Sequence, residues 1–575
     1  MIDFNSLLNE KIKTRFFKKF LLYFISKLLY TNRINEFLKI NSHLDARNFI
    51  NELFESLSFS FEISNQDIQK IPAEGRVICV SNHPIGSLDG LSLLKLFLDI
   101  RSDVKILAND ILLNVNNIKD YIIPVNVFDG KLNKNSFNEI KNALIEDKAV
   151  IIFPSGTVSR LKGLSIVESK WNKGAIHFAQ KFNSPILPVY INAKNSVLFY
   201  IISAINKRLS SLLLVHELFN KKNVKIKIKI GNIIPSKVFA SGNISEFYQI
   251  KLLKKHVYEL KKNRPKEIFH TEKNIIHPID RRLLKREFNS CELIGLTNEG
   301  YRLYVVDKKI SPQILIELGR LRELTFRKVG EGTGKKFDLD IYDDYYKHLV
   351  IWDENNLEIV GSYRIGFANE IVTNYNTNKL YTSSLFNFSE KFKNEILPYS
   401  IELGRSFIQK KYWNSNALYY LFQGIGSIIN NNNSIKYLFG PVSISNNYSQ
   451  NAKEQIVFLY KKWYSKSYNL VTGKNEFIIS KDVHNKLLSE YDSKDRIADF
   501  NKLKKNLKIE GFTIPILFKH YVELCEEGGA NFLSFNVDPD FENCIDGFLV
   551  IEIDKIKEEK KRKYIQQIHK IKIPA

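Results

Sequence analysis

Short apolar runs separated by turn residues recur through the first third of the chain. Arg76 to Val80, Val104 to Ala108, Val150 to Phe153 and Ile186 to Val189 each have the β-branched composition of a buried strand. Helical spacing fills the intervals, with helices expected from Leu91 to Ile100 and from Gly174 to Phe182. Strand and helix signals alternate to about residue 192, the pattern of an α/β domain. Val224 to Ile234 then alternates lysine with valine or isoleucine, which predicts a strand at the sheet edge. Residues 263–294 carry many Lys, Arg and Pro with little apolar periodicity and are expected to be a basic linker. A second α/β domain is expected over 295–575: strands at Tyr301 to Val306, Lys347 to Trp352, Ile359 to Ile365 and Phe548 to Ile551, and a helix from Ser311 to Val329. Glu331 to Gly334 follows no strand in a nucleotide-binding arrangement and is expected to be a mobile loop.

Composition narrows the classes. The chain has 575 residues, 44% hydrophobic and 26% charged, enough for two large cores and unlike a disordered or fibrous protein. A formal net charge of +23 favours an anionic partner: nucleic acid, an acidic carrier protein or an anionic membrane face. No zinc-finger spacing, RNP-like motif or basic region joined to heptads is present, so nucleic acid is set aside. Cys79, Cys291, Cys525 and Cys544 form no C-x-x-C pair, giving neither a zinc site nor a disulfide framework and suiting a reducing cytoplasm. Ile12 to Tyr30 places Phe17, Phe20, Leu21, Phe24 and Leu28 at helical spacing among Lys13, Arg15, Lys18, Lys19 and Lys27. The run is too interrupted to span a bilayer; an interfacial helix and a helix packed on its own domain both fit. Segment 1–45 is therefore expected to associate with the membrane, placing the protein on the cytoplasmic face.

Chemistry concentrates at Val80 to Gly90, V-S-N-H-P-I-G-S-L-D-G. A strand ends there, and His83 stands in the turn six residues ahead of Asp89. Imidazole titrates near neutral pH, and a carboxylate can fix its tautomer, so the pair suits removal of a hydroxyl proton. A turn histidine beside an N-capping aspartate is the alternative. After the strand at Val150, Pro154-Ser155-Gly156-Thr157-Val158-Ser159-Arg160 can offer backbone N–H groups and one guanidinium to an anion.

With Ser184-Pro185-Ile186-Leu187-Pro188-Val189 as a third signature, residues 46–262 resemble the glycerolipid acyltransferase family, whose motifs are H-x4-D, F-P-E-G-T-R-S and a late V-P-I-x-P-V. The resemblance implies an O-acyltransferase with His83 and Asp89 catalytic, and with Asn82, Gly86, Ser155, Gly156, Thr157 and Arg160 contacting substrate. Here five residues separate histidine from aspartate, Ser155 replaces the family's glutamate and Val158 its arginine. That pattern resembles the O-acyltransferase half of aminolipid synthases, which esterify a 3-hydroxyacyl amino acid.

The second half, through Leu321 to Phe326, Asp340-Ile341-Tyr342-Asp343, Val360 to Arg364, Ile401-Glu402-Leu403-Gly404-Arg405-Ser406 and Phe439 to Ser445, resembles N-acyl amino acid synthases related to acyl-homoserine lactone synthases and the GNAT superfamily. The implied base for the attacking amine is Glu402. Arg364 and Arg405, with Arg322, are expected to hold a carboxylate or a phosphopantetheine-linked donor, and Asp340 and Asp343 the cationic end of a basic amino acid. The joined order resembles bifunctional ornithine lipid synthases. It implies N-acylation of an amino acid by a 3-hydroxyacyl group from acyl carrier protein or coenzyme A, then O-acylation of the lyso-aminolipid, with no metal or redox cofactor. Two rivals stay open: a phospholipid-type acyltransferase with a non-catalytic second domain, and a non-enzymatic basic membrane-binding protein.

Overall fold

The computed structural model describes residues 31–125, 133–205, 213–214, 216–219, 221, 223–240, 244–465 and 469–566. The amphipathic stretch 12–30 lies outside them. The chain divides into two compact units, Met1–His277 and Pro278–Ala575. Each is α/β.

In the first unit seven strands form one sheet. They are β1 (Ser60–Glu62), β2 (Val77–Ser81), β3 (Val104–Asn109), β4 (Ile122–Val125), β5 (Ala149–Ile152), β6 (Ile186–Asn192) and β7 (Lys225–Ile230), in the order β1-β7-β6-β2-β5-β3-β4. Strands β2 to β6 are mutually parallel, and β7 runs antiparallel to β6. All five residues of β2 are buried, as expected of a central parallel strand covered on both faces. Helix α1 (Ser87–Leu98) covers one face with Leu88, Leu93, Leu94 and Phe97; Ile140, Ile176, Phe178 and Leu253 cover the other. The lysine-alternating strand β7 sits one place in from the edge, because β1 pairs along its outer side. Its Ile226, Ile228 and Ile230 face the core.

The stretch expected to be a linker is split between the units. In the first, Glu272 bridges Ile233, Asn274 accepts from the Ile233 N–H at 3.0 Å and the His277 ring contacts the Ile71 carbonyl at 2.9 Å. In the second, residues Arg281–Phe288 form a helix whose Leu284 and Phe288 enter the core. Leu284 and Phe288 are spaced i, i+4 on one helix face, a pattern too short to stand out against the surrounding basic residues.

The second unit is an eight-stranded sheet: β8 (Glu292–Leu296), β9 (Arg302–Val306), β10 (Lys347–Asp353), β11 (Glu358–Phe367), β12 (Ser400–Ile408), β13 (Tyr437–Ile444), β14 (Ala530–Asp538) and β15 (Cys544–Glu552), ordered β8-β9-β10-β11-β12-β13-β15-β14. Helix α2 (Pro312–Val329) packs Ile314, Leu318 and Leu321 on one face; α3 (Ala417–Asn430) and α4 (Gln450–Tyr464) cover the other with Leu421, Ile425, Ile456 and Val457. Neighbours are antiparallel except β12 and β13, which pair in parallel through only three residues, Ser400 to Glu402 with Tyr437 to Phe439. Beyond Glu402 the two strands part from each other while β12 stays paired with β11 and β13 with β15, so the sheet opens into a fork. At its throat Gly440 is obligatory: an added Cβ would lie 2.1 Å from the Leu403 carbonyl oxygen.

Candidate active sites

The first site lies at the carboxyl end of β2, where ligands collect in open parallel sheets. The chain leaves the strand through Asn82 and His83 and turns at Gly86, whose φ of 106° is accessible chiefly to glycine. Asp89 is fully buried in the first turn of α1; its Oδ2 accepts the N–H of Ile85 at 2.8 Å and of Gly86 at 2.9 Å. The same Oδ2 lies 3.1 Å from His83 Nδ1, without the alignment of a hydrogen bond. The extra residue of the H-x5-D spacing is absorbed by the turn, so the two side chains still meet. The His83 ring stacks on Phe153 with centroids 4.4 Å apart.

The other residues expected in this site divide. Asn82 is structural in its contacts: its amide donates to the Ile191 carbonyl at 2.9 Å and accepts the Ile191 N–H at 2.7 Å, tying β2 to β6. The Ser155 hydroxyl donates to the Thr157 carbonyl, and the Thr157 hydroxyl pairs with Ser169. The Gly156 N–H is spent on Phe153 and the Ser159 N–H on the His83 carbonyl, so this part of the loop braces the histidine rather than offering donors to an anion. Arg160 starts a hairpin of Arg160–Lys162 and Ser165–Val167, and burial lowers its pKa.

Glu168 was not anticipated. Its buried carboxylate accepts the backbone N–H of His83 through Oε1 and the Trp171 indole N–H through Oε2 at 2.8 Å. One acid thus fixes the backbone on which the imidazole is carried. In Glu168→Gln an amide N–H would face one of these donors, so acyl transfer at this site should fall about 10-fold with little change in acceptor KM. Kinetics on the folded variant check this; an unaltered kcat removes Glu168 from the positioning role.

The second site surrounds the fork. Glu402 is the last residue of β12 paired with β13, buried, with Oε1 accepting the Thr382 N–H at 2.7 Å and Oε2 the Tyr346 hydroxyl. Burial pushes its carboxyl above the usual range, against the pull of these two donors. Leu403, Leu438, Gly440, Val442, Tyr521 and Leu549 line an apolar cavity in the opened sheet beside it. Arg405 sits on a bulge where Arg405 and Ser406 oppose Tyr363, and takes φ 49°.

Arg322, Arg364, Arg405, Asp340 and Asp343 come together, though with one another rather than each toward a ligand. Arg322 pairs with Asp343 at 2.9 Å and contacts His348 Nδ1; Arg364 pairs with Asp340 at 2.6 Å and lies 3.4 Å from Asp343. Arg405 faces Asp338 at 3.0 Å and Asp340 at 3.5 Å. The expected grip of Asp340 and Asp343 on a cationic substrate is therefore corrected: these acids neutralise buried guanidiniums. Burial alone would raise the Asp343 carboxyl, but Arg322 and Arg364 hold it far below the carboxylate range. His348 is driven down to about 3 by burial and the Arg322 charge. Among buried atoms of the described residues, Arg364 Nη2 has no hydrogen-bond partner.

A further set escaped sequence reading. Asp538 and Asp546, on adjacent strands β14 and β15, and Glu331 are buried within the field of Arg405. Burial pushes Glu331 up to about 7 and raises Asp538 and Asp546 as well. The Glu331 to Gly334 loop, expected to be mobile, is pinned: Glu323 accepts the N–H groups of Thr333 and Gly334 at 3.1 and 2.9 Å.

The chain matches two family models, Acyltransferase over residues 7–265 and Acetyltransferase (GNAT) domain over 321–423. A glycine N(alpha)-acyltransferase from Phocaeicola vulgatus is 31% identical over 311 residues, 52% of this chain and 94% of that protein. The chain belongs to its family. It is an acyltransferase, with an acyltransferase domain ahead of a GNAT domain. A Bacteroides thetaiotaomicron protein of the same name is 30% identical over 51% of this chain and 89% of its own length. The lyso-glycine lipid O-acyltransferase of P. vulgatus is 26% identical over 248 residues, 42% of this chain and 88% of that protein. Among the described residues no helix is long and apolar enough to cross a membrane.

Proposed function

We propose that the chain makes an aminolipid in two acyl transfers, one at each site. The observation that carries this is the pairing, in one chain, of a His–Asp site and a buried glutamate at a strand fork, with similarity to relatives that hold the N- and O-acyl activities on two separate proteins.

At the fork, the amine of an amino acid attacks the carbonyl of a 3-hydroxyacyl thioester. A C–N bond forms, the C–S bond breaks, and the amine proton passes to Glu402 directly or through water. Each carboxylate oxygen of Glu402 accepts one hydrogen bond and retains a lone pair for that proton. The raised pKa brings its basicity closer to that of the group it serves. The apolar cavity suits the acyl or pantetheine arm of the donor, carried by acyl carrier protein or coenzyme A. Glu331, Asp538 and Asp546 are buried near Arg405 in addition to the acids that pair with the three guanidiniums, and an ammonium-bearing acceptor entering there would offset the burial that raises their pKa values.

At the first site, the 3-hydroxyl of the resulting amide attacks a second acyl thioester and His83 takes its proton while Asp89 orients and stabilises the imidazolium; the ester C–O bond forms, the C–S bond breaks, and the imidazolium returns the proton to the leaving thiolate. The order is chemical: amide formation supplies the hydroxyl that is esterified. The relatives make glycine the first head group to test and the sequence resemblance makes ornithine the second. Incubation of the purified chain with a 3-hydroxyacyl carrier-protein thioester and either amino acid should give the monoacyl amide, then the diacyl lipid. An ester product from lysophosphatidic acid, with no amide from any amino acid, would overturn the proposal.

A further inference from the structure

Helix Val197–Ile205 carries no charged side chain and is apolar on both faces. Its inner face is part of the first site's wall. Phe199 and Tyr200 are buried against Val158, and the Leu161 N–H reaches Ser203 Oγ at 3.4 Å. The Tyr200 hydroxyl accepts the Asn195 N–H at 3.0 Å, and the Asn195 amide reaches the Pro84 carbonyl, next to His83. The helix start is fixed by the buried Glu217, which accepts the Ser196 N–H at 2.8 Å and the Ser196 hydroxyl at 2.6 Å.

Among the described residues the outer face has no such partners. Val197, Leu198, Ile201 and Ile205 are 74%, 55%, 50% and 80% exposed, spaced as one helix face. The hairpin packed against this helix adds Leu164, fully exposed at its tip, with Ile166 and Val167 exposed behind it. Water-facing helices normally show a polar outer stripe, and an apolar one marks contact with protein or lipid. Charge decides between them. From Pro154 to Ile205 the chain has six basic residues, Arg160, Lys162, Lys170, Lys173, Lys181 and Lys194, and one acid, the buried Glu168. Lys162 in the hairpin and Lys194 three residues ahead of the helix are both exposed, so basic side chains flank this aliphatic surface, a combination complementary to an anionic bilayer.

We propose that helix Val197–Ile205 and the 160–167 hairpin dock the first unit onto an anionic membrane, over the site of His83, so that a lipid acceptor enters from the bilayer. This rests on the proposed O-acylation of a lipid, whereas the docking itself stands on the surface. The test is co-sedimentation of the full chain with vesicles of phosphatidylglycerol and phosphatidylcholine, comparing wild type with the triple variant Val197→Asp, Leu198→Asp, Ile201→Asp. All three positions are exposed and outside the catalytic machinery. Vesicle binding should weaken about 10-fold or more. Esterification of the water-soluble N-(3-hydroxybutanoyl)glycine should stay at the wild-type rate. Undiminished vesicle binding would overturn the proposal, as would a wild-type dimer that the variant dissolves, which would assign the face to a second copy. Lost vesicle binding with no ester from either protein would leave the docking surface standing and sink the O-acylation reading.

Discussion

Replacing His83 with alanine should cut ester formation by about 100- to 10,000-fold while leaving the amide-forming rate intact. The imidazole stands at the end of β2, its ring already held against Phe153 and its Nδ1 3.1 Å from Asp89. Its removal uncovers one face of Phe153 and breaks no side-chain hydrogen bond to Asp89, so the variant should fold. The distinguishing feature is the product: the monoacyl amide should accumulate, because that intermediate is made in the other unit. A variant that lost both products in parallel would point to a folding defect instead, which circular dichroism and thermal unfolding would reveal.

Glu402→Gln should remove amide formation by about 100-fold or more and, with it, all ester made from free amino acid. Glutamine is the informative replacement because it keeps an oxygen for the Thr382 N–H, and the Tyr346 hydroxyl can reverse its role to accept. Removing Arg322 or Arg364 would be ambiguous, since stranding the buried Asp343 costs about 3–5 kcal/mol of stability. Supplying preformed 3-hydroxyacyl amino acid should restore ester synthesis in the variant. The pH profile gives a second check. In the proposed base role Glu402 acts as carboxylate, so with its pKa raised by burial amide formation should climb as pH rises through that elevated value. The acidic limb should vanish from the residual activity of Glu402→Gln. A profile identical in wild type and variant would remove Glu402 from the base role.

How far the sequence carried the site depends on how local each contact is. His83, Asp89 and Gly86 belong to one strand-turn-helix passage, so the pattern of V-S-N-H-P-I-G was sufficient to place them. Glu168 contacts the His83 backbone from 85 positions along the chain, through the fold of a hairpin no periodicity announces. One signal was nevertheless available: Glu168 is the lone acid among six basic residues between Pro154 and Ile205. In the second unit, Glu402 and Arg405 were legible as a segment, but the bulge that turns Arg405 is a property of strand pairing. Asp538 and Asp546 reach Arg405 only because β14 and β15 pair in a register that sets Cys544 opposite Asp538 and Asn536 opposite Asp546. Pairs so close in sequence to a turn read as surface charge until the sheet is assembled. The basic stretch 263–294 misled for the opposite reason: its buried Leu284 and Phe288 are few, and arginines and lysines dominate the local pattern.

The central claim is that one chain performs both transfers. Mass spectrometry of total lipids from a bacterial host without aminolipids, expressing wild type, His83→Ala or Glu402→Gln, tests it most directly. Wild type should yield a diacylated amino acid, His83→Ala only the monoacyl amide, and Glu402→Gln neither. A host expressing well-folded wild type with no new aminolipid, or a His83→Ala strain that still makes the diacylated form, would contradict it.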